Sequence, residues 1–485
     1  LIMSTAAKVI ARERIETLLD DNSFVEIGGL VKARSTDFNI KAKDTPSDGV
    51  ITGYGVINGK LVYVYSQDSS VLGGSVGEMH AKKISNLYDM AMKMGAPVIG
   101  LIDSTGLRLQ ESVDGLNAFG QIYMKQSLAS GVIPQISVIF GNCGGGLSVI
   151  AGLSDFTFME KDNAHLFVNS PDAIEGNRKE VCDSSSAKFQ SETAGNVDFV
   201  GTQQEIMEGL RDLISVIPSN NEDEAFDLEC DDDLNRAAEG IENCGEDTLQ
   251  ALTSISDEGY VLEVKKDYAP EMVTAFIKLN GATVGAVANR TKSYDEDMNV
   301  TAEYEAKLTA NGCEKAADFV GFCDAFEIPI LTLTNVNGFK ATKCQEKKGA
   351  KATSKLIYAF ANATVPKVNL IVEDAIGSAY IAMNSKATGA DVVYAWPTAK
   401  VGMMDAASAV KIMYADEIES GDATEVIAEK TAEYQNLQGS VMSAAARGYV
   451  DSIVEPVDTR KYIIGAFEML YTKFEDRPGK KHGTV

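Results

Sequence analysis

The sequence predicts an α/β protein with two similar domains, and three observations lead to this prediction. Short, continuously apolar segments alternate with amphipathic ones, a pattern typical of buried parallel strands connected by helices. The same succession of segments occurs twice along the chain. A chain of 485 residues also exceeds the length that one hydrophobic core usually supports.

The composition is that of a globular protein, and it restricts the partners. The chain is 45% hydrophobic and 24% charged, with a net charge of −26 at pH 7. This excess of negative charge disfavours nucleic acid or an anionic membrane surface as the main partner. No apolar run approaches the roughly 20 residues needed to cross a bilayer. The seven cysteines show no metal-ligand spacing. We therefore expect a cytoplasmic protein with reduced thiols and no metal.

The repeat has a constant spacing of 232 residues over its central part. APVIGLIDSTG at 96–106 resembles IPILTLTNVNG at 328–338, and IPQISVIFGNCGGG at 133–146 resembles VPKVNLIVEDAIGS at 365–378. Flanking segments match at offsets of 222 and 236, as small loop insertions would produce. The repeat therefore predicts a duplicated domain.

Each half is predicted to run strand, helix, strand, helix, strand, glycine turn, helix and strand. The helix before the first central strand has apolar residues on one face, at helical spacing. These residues are Ile84, Leu87, Tyr88, Ala91 and Met94, and the matching set is Ala316, Phe319, Val320, Cys323 and Phe326. The first residues, 1–19, are predicted to form an amphipathic helix. Between the halves, eight of the twelve residues 222–233 are acidic, which predicts a solvated linker and a boundary near 235.

The glycine turns are the candidate sites. Gly144, Gly145 and Gly146 follow an apolar strand and precede an apolar helix. Glycine lets a ligand approach the backbone closely, and the first amides of a helix have no partner inside it. The spacing leaves an oxyanion hole, a phosphate cradle and close packing as open interpretations. A turn in each half would suit a reaction with two oxyanions.

Histidine is scarce, with three residues in the chain, so a histidine general base is not favoured. His80 and His165 are interpreted as structural. Ser104 and Ser148 have no convincing triad partner. The tetrapeptide AMKM at 91–94 occurs around biotinylated lysines, but a carrier places it on a hairpin, whereas Lys93 here ends a predicted helix.

Six long segments, in order over nearly the whole chain, resemble the acyl-CoA carboxyltransferases. These include β subunits of propionyl- and acetyl-CoA carboxylases and α subunits of biotin-dependent decarboxylases. The matching segments contain SVGEMHAKKI, IDSTGLRLQES, GNCGGG, NVNGF, DAIGSAY and ARGYVDSIVEP. The resemblance implies two duplicated crotonase-like domains of the ββα superhelix type. Residues 1–235 would bind mainly CoA, and residues 236–485 mainly biotin.

The resemblance also implies the site residues. The backbone amides of Gly145 and Gly146 would form one oxyanion hole, and those of Ser378 and Ala379 a second. The residues expected to contact the substrate are Gly106, Gly377 and Ile381. The sequence departs from the family pattern at Thr105, Leu107, Ser378 and Ile381. In the family the last position bears on the choice of acyl group, and members of the propionyl type have Asp there.

The activity implied is transfer of a carboxyl group between carboxybiotin and the α-carbon of a short acyl-CoA, of the acetyl- or propionyl-CoA type. Two oxyanions form, one on each reactant, and the amide pairs would stabilise them. Biotin would arrive on a separate biotin carboxyl carrier protein, with a biotin carboxylase subunit as a further partner. The active site would lie between the N half of one subunit and the C half of another, usually in a homo-hexamer.

Three alternatives stay open. The same site could run backwards, as the α subunit of a sodium-pumping decarboxylase of the methylmalonyl- or glutaconyl-CoA type with a membrane subunit as partner. A biotin-independent crotonase-like hydratase would need an acidic residue acting on water, for which Glu111 is the candidate. A non-catalytic scaffold could retain the fold and lose acyl-CoA binding.

Overall fold

The computed structural model describes residues 10–34, 45–223, 230–295 and 297–477. The chain forms two compact units, Leu1–Glu224 and Ala225–Val485. Each unit is built around an eight-stranded mixed sheet with helices packed against it, which confirms the α/β class.

In its described residues, 10–34 and 45–223, the first unit contains one sheet and five α-helices. The strands are β1 (Val25–Ile27), β2 (Val50–Ile57), β3 (Lys60–Gln67), β4 (Val98–Ser104), β5 (Gln135–Gly144), β6 (Phe156–Glu160), β7 (His165–Phe167) and β8 (Phe199–Gly201). The helices are α1 (Ile10–Leu18), α2 (Glu78–Met94), α3 (Ser112–Ala129), α4 (Gly146–Gly152) and α5 (Gln203–Val216). Helix α1 lies within the amphipathic segment predicted at 1–19, and residues 1–9 lie outside the described residues.

The second unit repeats this plan and adds further helices. Its strands are β9 (Val261–Val264), β10 (Met272–Leu279), β11 (Ala282–Asn289), β12 (Lys292–Tyr294), β13 (Val300–Glu303), β14 (Ile330–Asn337), β15 (Lys367–Ile376), β16 (Val392–Ala395), β17 (Lys400–Gly402) and β18 (Ser452–Ile453). Its helices are α6 (Thr248–Ile255), α7 (Ala310–Ala325), α8 (Lys343–Asn362), α9 (Gly377–Ala382), α10 (Ala406–Met413), α11 (Ala415–Ser420), α12 (Ala423–Tyr434), α13 (Val441–Ala446) and α14 (Thr459–Leu470).

The two large sheets have the same topology. The strand order is β1-β2-β3-β4-β5-β6-β8 in the first and β9-β10-β11-β14-β15-β16-β18 in the second, with β7 beside β5 and β17 beside β15. In both sheets the first three strands are antiparallel and the remaining strands parallel. The duplication predicted from the sequence is therefore confirmed.

The strand registers reproduce the offsets in the sequence. Tyr63 pairs with Val98 in the first sheet, and Gly285 pairs with Ile330 in the second, which correspond to the offsets of 222 and 232. Both copies of the central strand pair also have a register shift at the same place, before Ser104 and before Val336. The duplication thus extends to local irregularities of the sheet.

The amphipathic faces predicted for α2 and α7 are buried, with one exception. Ile84, Leu87, Tyr88 and Ala91 are buried on α2, but Met94 is 60% exposed. Met94 is the last residue of α2, and Gly95 then leaves the helix in a left-handed conformation. The periodicity gives the helix face on which Met94 lies, but it does not show whether the core extends as far as the last residue of the helix. The prediction for Met94 was wrong for this reason.

The division between the units precedes the predicted boundary at 235. Residues 224–229 of the acidic run lie outside the described residues. Further along, the Asp232 side chain is 11% exposed and pairs with Arg236 and Arg460. Asp232 is therefore packed within the second unit, because arginines neutralise its charge. Its neighbours Asp231 and Asp233 are exposed, as predicted for a solvated run.

The second unit also contains elements that the periodicity did not predict. Strands β12 and β13 form a separate hairpin sheet, and the succession α10–α13 precedes the last strand of the large sheet. Among the residues that the structure describes, no helix has the length and apolar character required to cross a bilayer.

Arg460 is a buried side chain that joins separate segments of the second unit, and its replacement tests how much these contacts stabilise the unit. Its side chain is fully buried and donates to the carboxylate of Asp257 and the carbonyl of Ile255. We expect Arg460→Met to lower the free energy of unfolding of this unit by about 3–5 kcal/mol, because it leaves the buried Asp257 carboxylate without a cationic partner. The single tryptophan, Trp396, is buried in the same unit and bonds to Thr459, so its fluorescence in urea monitors the loss.

Lys461→Met is the matched control for this variant. Lys461 is adjacent in sequence and pairs with Asp458 at the surface, so we expect a change of about 0.5 kcal/mol or less. Equal urea midpoints for the two variants would contradict the role assigned to Arg460.

Candidate active site

The turn from β5 to α4, residues 144–146, is called the N-turn. Each of its three positions requires glycine for a different physical reason. A Cβ at Gly144 would lie 2.5 Å from the ring of Phe167. Gly145 has φ +59°, a conformation that disfavours any residue with a side chain. A Cβ at Gly146 would lie 2.8 Å from the ring of Phe119. Close packing and backbone conformation therefore both act at this turn.

The N-turn amides are not equivalent. The amide of Gly145 donates to the carbonyl of Phe167 at 2.9 Å, so it is already paired in this structure. Gly146 is the first residue of α4, and neither its amide nor that of Leu147 has an acceptor inside the helix. The hydroxyl of Tyr123 donates to the Gly146 carbonyl at 2.6 Å and fixes this peptide from α3. Within the described ranges, the amides at this helix end that have no acceptor are those of Gly146 and Leu147. The pair expected from the family resemblance was Gly145 and Gly146, and its catalytic role stays a prediction.

The corresponding turn of the second unit, residues 377–379, is defined as the C-turn. Gly377 has φ +73° and begins α9, directly after β15. Ser378 and Ala379 follow in the first helical turn, where backbone amides lack partners inside the helix. The offset of 232 relates Ser378 and Ala379 to Gly146 and Leu147. The amides of Ser378 and Ala379, which were predicted to form the second oxyanion hole, therefore lie at the start of α9, and their role stays a prediction.

Gly106 lies in the loop after β4, at the same sheet edge as the N-turn, since β4 and β5 are parallel neighbours. Its amide donates to the hydroxyl of Ser104 at 3.1 Å, and its carbonyl accepts from the amide of Val76 at 2.8 Å. The second unit has the matching contact, from the Leu308 amide to the Gly338 carbonyl. The loop after the first central strand is therefore held by the same bridge in both units.

Thr105 and Leu107, the two residues of this loop that depart from the family pattern, both contact neighbouring residues. Thr105 lies against Gly73, where an added Cβ would be 3.0 Å from the threonine side chain, and its amide donates to the Gly73 carbonyl. Leu107 forms an isolated bridge with Val76. Ile381, on α9 after the C-turn, is 37% exposed.

A buried polar network lies behind the Gly106 loop. Arg108 donates at 2.7 Å to the carboxylates of both Asp48 and Glu111, and all three side chains are essentially inaccessible to solvent. Burial raises the pKa of Asp48, while the guanidinium of Arg108 opposes this shift. The second oxygen of Glu111 accepts from the Glu78 amide at 2.5 Å. With both oxygens occupied and no solvent access, Glu111 does not fit the role of a base acting on water.

The histidines, Cys143 and Lys93 of the first unit do not form a catalytic group. His80 is fully buried, with Nδ1 3.0 Å from the Asp48 carbonyl and Nε2 3.2 Å from Gln67 Nε2. Burial lowers its pKa to about 3, so the ring is neutral. Burial also raises the pKa of the Cys143 thiol to about 12, so it is not a nucleophile. His165 bonds to Ser185, and Lys93 is exposed on the last turn of α2 rather than on a hairpin.

A cavity of about 600 Å³ lies beside the C-turn within the second unit. Asn337 and Asp374, from the ends of β14 and β15, line it and are joined by a 3.1 Å hydrogen bond. Lys400 approaches Asp374 to 3.9 Å from the other side. The hydroxyl of Thr431 on α12 is buried without a hydrogen-bond partner in the described part of the chain. The cavity thus offers a mixed set of donors and acceptors to a polar ligand.

Residues 4–485 match the family described as the carboxyl transferase domain. The chain belongs to this family. The α subunit of methylmalonyl-CoA decarboxylase from Propionigenium modestum is 39% identical, over 99% of this chain and 93% of the relative. The propionyl-CoA carboxylase β chain of Roseobacter denitrificans is 40% identical, over 99% of this chain and 94% of the relative.

A solved structure agrees with this assignment. The crystal structure of transcarboxylase 12S, a hexamer described with hydrolysed methylmalonyl-CoA bound, has a TM-score of 0.90 at 38% identity. The similarity covers 98% of this chain and 92% of that one. The carboxyltransferase predicted from the sequence therefore has the crotonase-like fold expected. It is the carboxyltransferase component of a biotin-dependent acyl-CoA carboxylase or decarboxylase.

The structure brings the predicted residues together in two groups, one in each unit. Gly106 lies with the N-turn, and Ile381 lies with Gly377, Ser378 and Ala379 at the C-turn. Sequence reasoning missed Phe119, Tyr123 and Phe167, which decide the conformation of the N-turn. It also missed the cavity of the second unit, which helix α12 helps to line.

Gly146→Ala tests whether the N-turn acts in catalysis. The new Cβ would meet both the Phe119 ring and the Tyr123 hydroxyl, so either the turn or the two side chains that fix it must shift, and the position of the amide is disturbed. We expect kcat for acyl-CoA decarboxylation to fall about 10²-fold or more, the usual loss for one oxyanion donor.

Gly152→Ala, at the other end of α4, provides the control. It has open space around its Cβ and no positive φ, so its rate should stay within about twofold of the parent chain. A normal rate in folded Gly146→Ala protein would exclude the N-turn as an oxyanion hole.

Proposed function

We propose that this carboxyltransferase moves a carboxyl group between carrier-bound carboxybiotin and the α-carbon of a short acyl-CoA. The observation that carries the proposal is the paired architecture of the two turns. In each unit, a buried central strand leads into a glycine with positive φ. A helix follows, and its first amides have no acceptor within the helix. A reaction that forms an oxyanion on each of two reactants needs two such positions.

The N-turn is proposed to hold the thioester oxygen. When the α-carbon of the acyl group becomes carbanionic, charge moves onto this oxygen, and the amides of Gly146 and Leu147 would stabilise it. The Gly145 amide would join them where a ligand displaces the Phe167 carbonyl. Because Tyr123 and Phe119 fix the turn, the donors require little reorganisation when charge develops.

The C-turn and its cavity are proposed to hold the ureido ring of biotin. The residues present fit this group: Thr431 has an unpaired buried hydroxyl, and Asn337 and Lys400 supply further donors at the cavity wall. Biotin supplies the transferable carboxyl group and the base for the acyl α-proton, which explains why no histidine base is needed. Ser378 and Ala379 would orient the ring through its carbonyl oxygen, by donating their amide protons.

The acyl group is proposed to be propionyl, with methylmalonyl-CoA as the carboxylated form. Relatives named for propionyl-CoA carboxylation and for methylmalonyl-CoA decarboxylation are about equally similar, at 40% and 39% identity. The same subunit chemistry therefore serves both directions, and the remaining subunits set the direction in the cell. We further propose a homo-hexamer, like transcarboxylase 12S, working with a biotin carboxyl carrier protein and either a biotin carboxylase or a membrane decarboxylase subunit.

The direct test is decarboxylation by the purified chain. Malonyl-CoA and methylmalonyl-CoA are each incubated with and without free biotin, and CO2 release is followed. We expect biotin to stimulate CO2 release, with methylmalonyl-CoA preferred. Absence of any biotin effect with either thioester, in protein that binds CoA, would refute the proposed function.

Thr431→Val tests the assignment of the cavity to biotin. The change preserves the shape of the side chain and removes the unpaired hydroxyl. We expect the KM for free biotin to rise about 3- to 10-fold, the value of one hydrogen bond, with the KM for methylmalonyl-CoA unchanged.

Thr424→Val is the control, because Thr424 is exposed on the same helix. An equal rise in the KM for biotin in both variants, or a rise in the KM for the thioester in Thr431→Val, would show that the hydroxyl does not contact biotin.

A further inference from the structure

Helix α8 concentrates positive charge in a strongly acidic chain. Residues 340–355 contain six lysines and one glutamate, in a protein of net charge −26. We define the lysine face as Lys340, Lys343, Lys347 and Lys348, which are all exposed. Within the described ranges, none of these four forms an ion pair with a carboxylate. Their charge is therefore available to a partner.

The placement of these lysines opposes the electrostatics of the helix. Lys343 and Lys347 are four residues apart, where like charges repel by a few tenths of a kcal/mol. Lys343 is also the first residue of α8, where the helix dipole disfavours a cation, while the last turn contains no basic residue. Lysines in this arrangement destabilise the free helix, and a bound anionic group would relieve both effects.

The fold does not require these lysines. Helix α3 is the counterpart of α8 in the first unit, with the same place between two central strands. Over its 18 residues α3 carries one acid, Asp114, and one base, Lys125, and so has no net charge. The positive charge therefore belongs to the second unit alone and follows from something other than packing on the sheet.

The position of the lysine face relates it to the cavity assigned to biotin. Lys340 comes three residues after Asn337, which ends β14 and lines the cavity. The Lys340 amide bonds to the Leu308 carbonyl, which keeps the start of this segment at the edge where β14 ends. The lysine face therefore begins three residues from a side chain that lines the cavity.

We propose that the lysine face docks an acidic surface of the carrier protein that presents biotin. The inference rests on the proposed function, since it assumes that biotin enters this cavity on a carrier. The overall negative charge would repel an acidic carrier from most of the molecule, and the lysine face would attract it at one place. Such a field increases the rate of association and fixes the orientation in which the biotin arm arrives.

Two biotinylated peptides test the proposal with the full-length chain. Both contain a biotinyl-lysine, flanked by glutamates in one and by glutamines in the other. Free biotin is the third substrate, and the KM of each is measured from stimulated methylmalonyl-CoA decarboxylation. At low salt we expect a KM about tenfold lower for the acidic peptide than for the neutral one. Half-molar salt should remove this preference by screening.

The variant K343E/K347E/K348E should lose the preference for the acidic peptide and keep the rate with free biotin within about twofold. The control K82E/K93E/K161E introduces the same charge change at exposed lysines of the first unit and should retain the preference.

Each contrary outcome has a distinct meaning. Equal KM values for the two peptides in the parent chain, or the same loss in both variants, would overturn the proposal. A higher KM for methylmalonyl-CoA in the α8 variant, with the peptide preference intact, would also overturn it, because the lysines would then bind CoA phosphates. Absence of stimulation by any form of biotin in the parent chain would instead refute the proposed function.

Discussion

The structure depends on the unsatisfied amides at the start of a helix that follows a buried parallel strand. The strand supplies rigidity. The helix supplies two or three amide donors that have no acceptor within the helix. A side chain at this junction would block the approach of a ligand or clash with the neighbouring ring, as the surroundings of Gly144 and Gly146 show. The absence of side chains at the turn therefore serves both the packing and the chemistry.

The duplicated plan was visible in the sequence because parallel strands and their helices impose strong periodicity. The offsets of 222, 232 and 236 correspond to real registers, and the alternation of strands and helices was correctly ordered. The exposure of Met94 and the packing of Asp232 were not visible. The first depends on where a helix stops, and the second on arginines brought close by the tertiary fold.

In the candidate site, too, the sequence predicted some features and not others. Glycine spacing located both turns, and the family resemblance supplied the expectation of two amide pairs. The sequence could not show that the Gly145 amide donates a hydrogen bond to the Phe167 carbonyl. That bond depends on the short strand β7, which pairs with the end of β5. Nor could it show that Glu111 is enclosed by Arg108 and a backbone amide. Contacts between distant segments decided which groups are available.

The two turns lie on one covalent chain, although each belongs to its own folded unit. Every molecule synthesised therefore contains both turns in a ratio of one to one, independent of gene dosage or assembly. Because each unit has its own sheet, mutations in one can change its surface without altering the core of the other. The contrast between α3, which has no net charge, and the lysine-rich α8 shows how far the surfaces of the two units differ on the same backbone plan.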